Sequence, residues 1–166
     1  WLAFNAFKAS DQWFPDDVRL VRYGGVERPT VTHLIDVTLG GKLRLVRVNT
    51  VESLRPGQTL PVEFVWLPVS QPSANYHLFL QLLTPDGALV AQHDSPPNGG
   101  YTPTSIWLPG KEVVDRHGLV LPSDLPPGDY RLIAGLYNPT TGERLPVDQG
   151  DDFVELGAVA VESSTQ

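Results

Sequence analysis

The chain contains no cysteine. Thiol nucleophiles, cysteine-ligated zinc and disulfide staples are therefore excluded. Methionine is also absent, and Trp1 is not expected to be a native translation start. The sequence is expected to be a processed product or a piece of a longer polypeptide. It holds no uninterrupted stretch of ~20 apolar residues, so nothing in it is expected to span a bilayer as a helix. No signal peptide is visible, and one could have stood upstream. Runs of Lys or Arg are missing, and the formal net charge is −7. An acidic surface repels phosphate backbones, which argues against nucleic acid and against an anionic membrane surface as partners.

What the chain does have is punctuation. Its 166 residues include 16 Pro and 15 Gly, spread evenly, and these cut it into many short segments. Hydrophobic residues at 41% and charged residues at 19% are those of a folded globular protein. The length suits one domain, or one domain with an N-terminal extension. It is enough to bury a core without staples. Short segments with frequent turns suit an all-β domain.

The segments read as follows. Residues 1–7 are apolar and are expected to form a short docking helix, or to end a segment whose partner lies elsewhere. A polar stretch follows, SDQWFPDD. Residues 18–23 and 31–39 read as strands, and Val31, Ile35 and Val37 share a face with His33. Gly40-Gly41 is a tight-turn signal leading into residues 43–48. VRLVRY at 18–23 echoes LRLVRV at 43–48, as two similar amphipathic strands would. Residues 60–67 place Val62, Phe64 and Trp66 on one face. Residues 76–84 turn Tyr76, Leu78, Leu80 and Leu82 one way and Phe79 and Leu83 the other, so that strand is expected to be covered on both sides. Thr84-Pro-Asp-Gly87 closes a hairpin onto residues 89–93. Residues 95–103 are irregular, and residues 105–110 are expected to cross to another sheet. Residues 112–121 read as a strand broken at His117-Gly118. Residues 130–137, 144–147 and 154–162 complete the set.

About ten strands without a long helix predict an antiparallel, immunoglobulin-like β-sandwich with Greek-key connections. Trp66 inside an early strand and Tyr130 after the corner LPSDLPPGDY mirror the core Trp and tyrosine corner of such folds. Residues 1–40 are set apart as an N-terminal extension, a short helix or docking segment plus strands that either stands outside the sandwich or forms part of it, 41–162 as the sandwich and 163–166 as a polar tail.

Candidate chemistry is sparse. No serine lies in a G-x-S-x-G elbow, and no HExxH or alternating-aspartate calcium loop occurs. No catalytic residue, metal ligand or cofactor site is assigned. His93-Asp94 and Asp115-Arg116-His117 flank the irregular 95–110 stretch and could converge on a ligand. The same residues would equally serve as a pair tying a loop down. Trp107, Tyr101 and Tyr137 are the aromatics best placed to stack on sugar rings. For Trp107 the structural alternative is a cap over one end of the sandwich. The ligand-binding candidates are thus Trp107, Tyr101, His93, Asp94, Asp115 and His117.

From residue 41 onward an ordered set of motifs runs GKLRLVRV, LRPGQTLPVEFVW, YHLFLQLLTPDGALVAQHDSPP, WLPGKEVVDR and LPSDLPPGDYRLIAGLYNPTTGERLPV. This set resembles the soluble C-terminal β-sandwich domain of bacterial family-39-type glycosyltransferase-like membrane proteins, which are similar to dolichyl-phosphate-mannose–protein mannosyltransferases. The resemblance covers residues 41–161. It implies a non-catalytic, extracytoplasmic accessory domain, tethered to the membrane through upstream sequence. Such a domain would contact a glycan, a polypeptide acceptor or its own membrane portion. Two other readings stand beside it. One is a stand-alone carbohydrate-binding module. The other is a hydrolase using His93, Asp94, Asp115 and His117, which requires those side chains to meet in a cleft.

Overall fold

A computed structural model describes residues 5–24, 28–148 and 150–163. The described strands are β1 (Phe7–Phe14), β2 (Val18–Gly24), β3 (Val31–Leu39), β4 (Leu43–Thr50), β5 (Ser53–Leu54), β6 (Thr59–Pro68), β7 (His77–Leu83), β8 (Leu89–Ser95), β9 (Val113–Val120), β10 (Gly128–Tyr137) and β11 (Val154–Val161). They form a six-stranded sheet, ordered β2-β1-β9-β6-β4-β3, and a five-stranded sheet, ordered β5-β11-β10-β7-β8. The all-β sandwich expected from the punctuation is what the chain forms.

The alternation of apolar residues sets the core. Leu60, Val62, Phe64 and Trp66 of β6 face inward, as do Leu78, Leu80 and Leu82 of β7 and Leu132, Ala134 and Leu136 of β10. Side chains two apart share a face of a strand, so these rows meet between the sheets. Each fully buried leucine contributes roughly 2 kcal/mol of transfer free energy. Gly40 and Gly41 have φ of +58° and +66°, the left-handed pair that closes the β3–β4 hairpin. The corner before β10 is tied by Tyr130, whose hydroxyl donates to the Pro126 carbonyl at 2.9 Å.

Several sequence-based expectations change. The helix expected at residues 1–7 falls mostly outside the described residues, and Phe7 already opens β1. Of the polar stretch after it, residues 10–14 continue β1 and residues 15–17 form the turn into β2. β1 and β2 pair antiparallel from Phe7↔Gly24 to Phe14↔Val18. β1 to β3 all join the sheet that holds β4. Beyond Ala9 this hairpin is exposed, and Trp13, Phe14, Val18 and Leu20 stand in solvent. The break expected at His117-Gly118 does not occur, because β9 runs through it. Gly118 instead permits close approach. A Cβ there would lie 2.8 Å from Thr59 Cγ2 and 3.0 Å from the Phe7 carbonyl oxygen. Residues 144–147 make two isolated bridges, Tyr137↔Arg144 and Leu39↔Val147, rather than a strand. Pro146 has no N–H to give a ladder there.

The crossing expected near residues 105–110 is present. The chain leaves β8 in the five-stranded sheet, makes short 3₁₀ turns at Pro97–Gly100 and Thr104–Ile106, and enters β9 in the other sheet.

Replacing Tyr130 with Phe removes the corner hydrogen bond and leaves the ring in place. Stability to urea should fall by about 1 kcal/mol. An unchanged unfolding midpoint would show that the hydroxyl contributes nothing.

Candidate functional site

The six residues singled out from the sequence separate into four environments. His93, Asp115 and His117 come together, with Asp115 and His117 sealed inside the protein and His93 half-buried beside them. Asp115 and His117 are 0% and 1% exposed. His117 Nε2 lies 2.8 Å from Asp115 Oδ1, off the line of a well-formed N–H hydrogen bond. The same Oδ1 accepts the Asn98 backbone N–H at 2.7 Å. The Asn98 amide in turn donates to the Val114 carbonyl and to Thr102 Oγ1, both at 2.8 Å. Its Oδ1 accepts the Arg116 N–H at 3.2 Å. This network pins the 97–102 loop to β9. The His93 and His117 rings meet edge-on with centroids 5.4 Å apart. Burial, reinforced by the neighbouring His117, pushes the His93 imidazole down to about 4, while a backbone hydrogen bond with Ala9 and the charge of Asp115 pull the other way.

Trp107 is 2% exposed and packs 6.3 Å from Trp66, centroid to centroid. Its Nε1 donates to the Thr102 carbonyl at 2.8 Å. A ring so placed offers no face to a sugar. Of the three aromatics expected to stack on sugars, Tyr101 is exposed at 57% and Tyr137 is half-buried.

Asp94 lies elsewhere. His93 pairs with Leu80 and points into the sandwich, so Asp94, paired with Phe79, points out. The four residues of the hydrolase reading therefore do not share a cleft.

Around Asp94 the outer face of the five-stranded sheet carries a cluster in which Asp94 is exposed and His77, Gln81 and Tyr137 are half-buried, while Phe79, only 2% exposed, lies covered among them. β7 presents His77, Phe79 and Gln81, and β10 presents Gly135 and Tyr137. His77 and Tyr137 are cross-strand partners, with rings 5.8 Å apart and edge-on. The Arg144 guanidinium covers the Phe79 ring at 4.1 Å. Gly135 makes room for that ring, since a Cβ there would lie 2.4 Å from Phe79 Cζ. Phe79, Gln81, Asp94, Tyr137, Gly142 and Arg144 line a shallow cavity of about 200 Å³. Gly142 and Arg144 also line a second cavity of about 630 Å³, whose other lining residues include Tyr76, Asn138, Glu143 and Asp152.

The titrations of this cluster are displaced together. Partial burial raises the Asp94 carboxyl, although Arg144 and His77 oppose the shift. Burial and then the Asp94 charge raise the Tyr137 phenol. Burial lowers His77, against the pull of Asp94. Such grouped perturbation is common where a surface binds ligands. Tyr137 and Asp94 were both read from the sequence as candidates. His77 carries no signal in the sequence beyond its place in a strand, and Phe79 is covered, as expected for that strand. The signal was the alternation itself, which puts His77, Phe79 and Gln81 opposite three leucines. Among the described residues no group of three or more His, Cys, Asp or Glu is placed to hold a metal ion. No helix among them is long and apolar enough to cross a membrane.

No family model and no curated protein matches the chain. Among solved structures, a crystal structure of the C-terminal domain of Wzt matches with a TM-score of 0.56 and 18% identity. The match covers 86% of this chain and 82% of that one. That domain is a β-sandwich, and the likeness establishes the fold. The motif resemblance to glycosyltransferase-associated domains thus keeps its β-sandwich content, and none of these comparisons extends it to that family.

The buried histidine yields a pH dependence. The folded chain holds His93 neutral, whereas the unfolded chain protonates it below about 6.5. Stability contributed by the neutral form is fully present above that pH and is lost as pH falls toward 4. Urea midpoints should drop between pH 7 and pH 5, and His93→Gln should flatten that slope. An identical slope in the variant would assign the loss to another group.

Proposed function

We propose that this domain is a non-catalytic saccharide-binding module and that its site is the trough around Asp94, Tyr137 and Arg144. The observation that carries the reading is the juxtaposition of half-buried aromatic rings with a carboxylate, an amide and a guanidinium in an open, shallow cavity. Sugar rings offer C–H faces to aromatics and hydroxyls that donate and accept. Asp94 and Gln81 supply the matching acceptors and donors, and Tyr137 and His77 the apolar faces. Asp94, Glu143 and Asp152 outnumber Arg144 across the two cavities, which favours a neutral saccharide over an anionic one.

The hydrolase reading finds no support in the placement of its residues. A glycosidase needs two carboxylates facing the scissile bond, and Asp115 is sealed while Asp94 points the other way. In the wider setting we propose, the module serves a membrane-anchored, glycosyltransferase-like protein outside the cytoplasm. There it would hold glycan or a glycosylated acceptor near the membrane portion. The support for that setting is the ordered motif set from residue 41.

Binding to an array of neutral oligosaccharides tests the reading. Asp94→Asn and Tyr137→Ala should each weaken binding roughly tenfold, the cost of one charge-assisted hydrogen bond or one stacked ring. Binding should also weaken as the pH falls through the raised range of the Asp94 carboxyl. Undiminished affinity in both variants would remove the site.

A further inference from the structure

The opposite sheet carries a second polar arrangement, which no candidate from the sequence touched. On its outer face Thr32 of β3, Asn49 of β4, Glu63 of β6 and Arg116 of β9 lie in register across four adjacent strands. They are bonded in sequence. Thr32 Oγ1 donates to Asn49 Oδ1 at 2.8 Å. Asn49 Nδ2 donates to Glu63 Oε1 at 2.8 Å. Arg116 lies 2.6 Å from Glu63 Oε2. A row of three strand spacings is about 14 Å long.

Cross-strand polar pairs of this kind often do no more than stabilise a sheet. Here the row is the floor of a cavity of about 480 Å³, walled by Phe7, Arg28 and Pro29. The bonds within the row fix each side chain in one orientation, yet they use only part of its capacity. Asn49 has a second amide hydrogen, and each Glu63 oxygen has further lone pairs. A pre-oriented row loses little rotamer freedom when a ligand docks.

We infer that this groove is a second saccharide site, independent of the trough on the five-stranded sheet. The ligand class follows from the charges. The carboxylate at the centre of the row disfavours an anion, and the two arginines disfavour a cation. A neutral ligand that both donates and accepts along its length, as linked sugar rings do, meets the row without an unpaired charge. The inference shares its ligand class with the proposed function but rests on different residues. Two sites on opposite faces make the module bivalent. It can join two glycan chains, or hold one long chain at two points with an effective-concentration gain.

Amide shift mapping on the full chain, with neutral gluco-, galacto- and manno-oligosaccharides, reads each face separately. In an Asp94→Asn/Tyr137→Ala background, titration should still move the amides around Thr32, Asn49, Glu63 and Arg116. Adding Asn49→Ala, or Glu63→Gln as the milder change, should weaken that residual binding at least tenfold while the amide spectrum stays that of a folded chain. Shifts confined to the 77–94 and 137–144 face would overturn the second site and leave the first. Shifts confined to the groove would do the reverse. The absence of shifts on both faces with every oligosaccharide would overturn both, and so would residual binding indifferent to Asn49 and Glu63 overturn the groove.

Discussion

Three leucines of β7 decide most of what this surface can do. Leu78, Leu80 and Leu82 are fully buried against the other sheet. An extended strand alternates its side chains, so burying them forces His77, Phe79 and Gln81 onto the outer face. The same constraint acts on β10, where Leu132, Ala134 and Leu136 send Gly135 and Tyr137 outward. On the other sheet, Val62 and Phe64 of β6 fix Glu63 between Asn49 and Arg116. Both candidate surfaces are therefore by-products of the core register. A slip of one residue in either interior strand would bury charge and expose leucine.

The alternation was legible because it is local. So were the turns, for Gly40, Gly41 and Gly87 take the left-handed φ that their sequence context implies. The tyrosine corner could be read because its partner, Pro126, is four residues away. What could not be read was which strand lies beside which. VRLVRY and LRLVRV look alike, yet β4 is flanked by β6 and β3 with its apolar residues buried, while β2 is an exposed edge. The difference is set by neighbours, not by the six residues.

The site candidates show the same division. His93, Asp115 and His117 flank one loop and meet beneath it, whereas Asp94 does not join them, because side-chain direction on β8 and β9 decides which residues share a face. The buried network holds Asn98 at φ +47° and closes the loop over the sandwich. The irregular stretch is thus a fastening, and Trp107 is its inner layer. The outward neighbours of these residues, Asp94 and Arg116, are the ones that face ligand-sized cavities. The polar row on the six-stranded sheet had no sequence signature, since its members come from strands far apart in the chain.

The joint between β1 and β9 has a further consequence. These strands pair in parallel at Lys8↔His117, and beyond Ala9 the β1–β2 hairpin stands clear of the core. Phe7, which walls the groove, sits at that joint. The groove on the six-stranded sheet thus shares Phe7 with the pairing of β1 and β2, so part of its wall is set by the strands at that edge of the sheet.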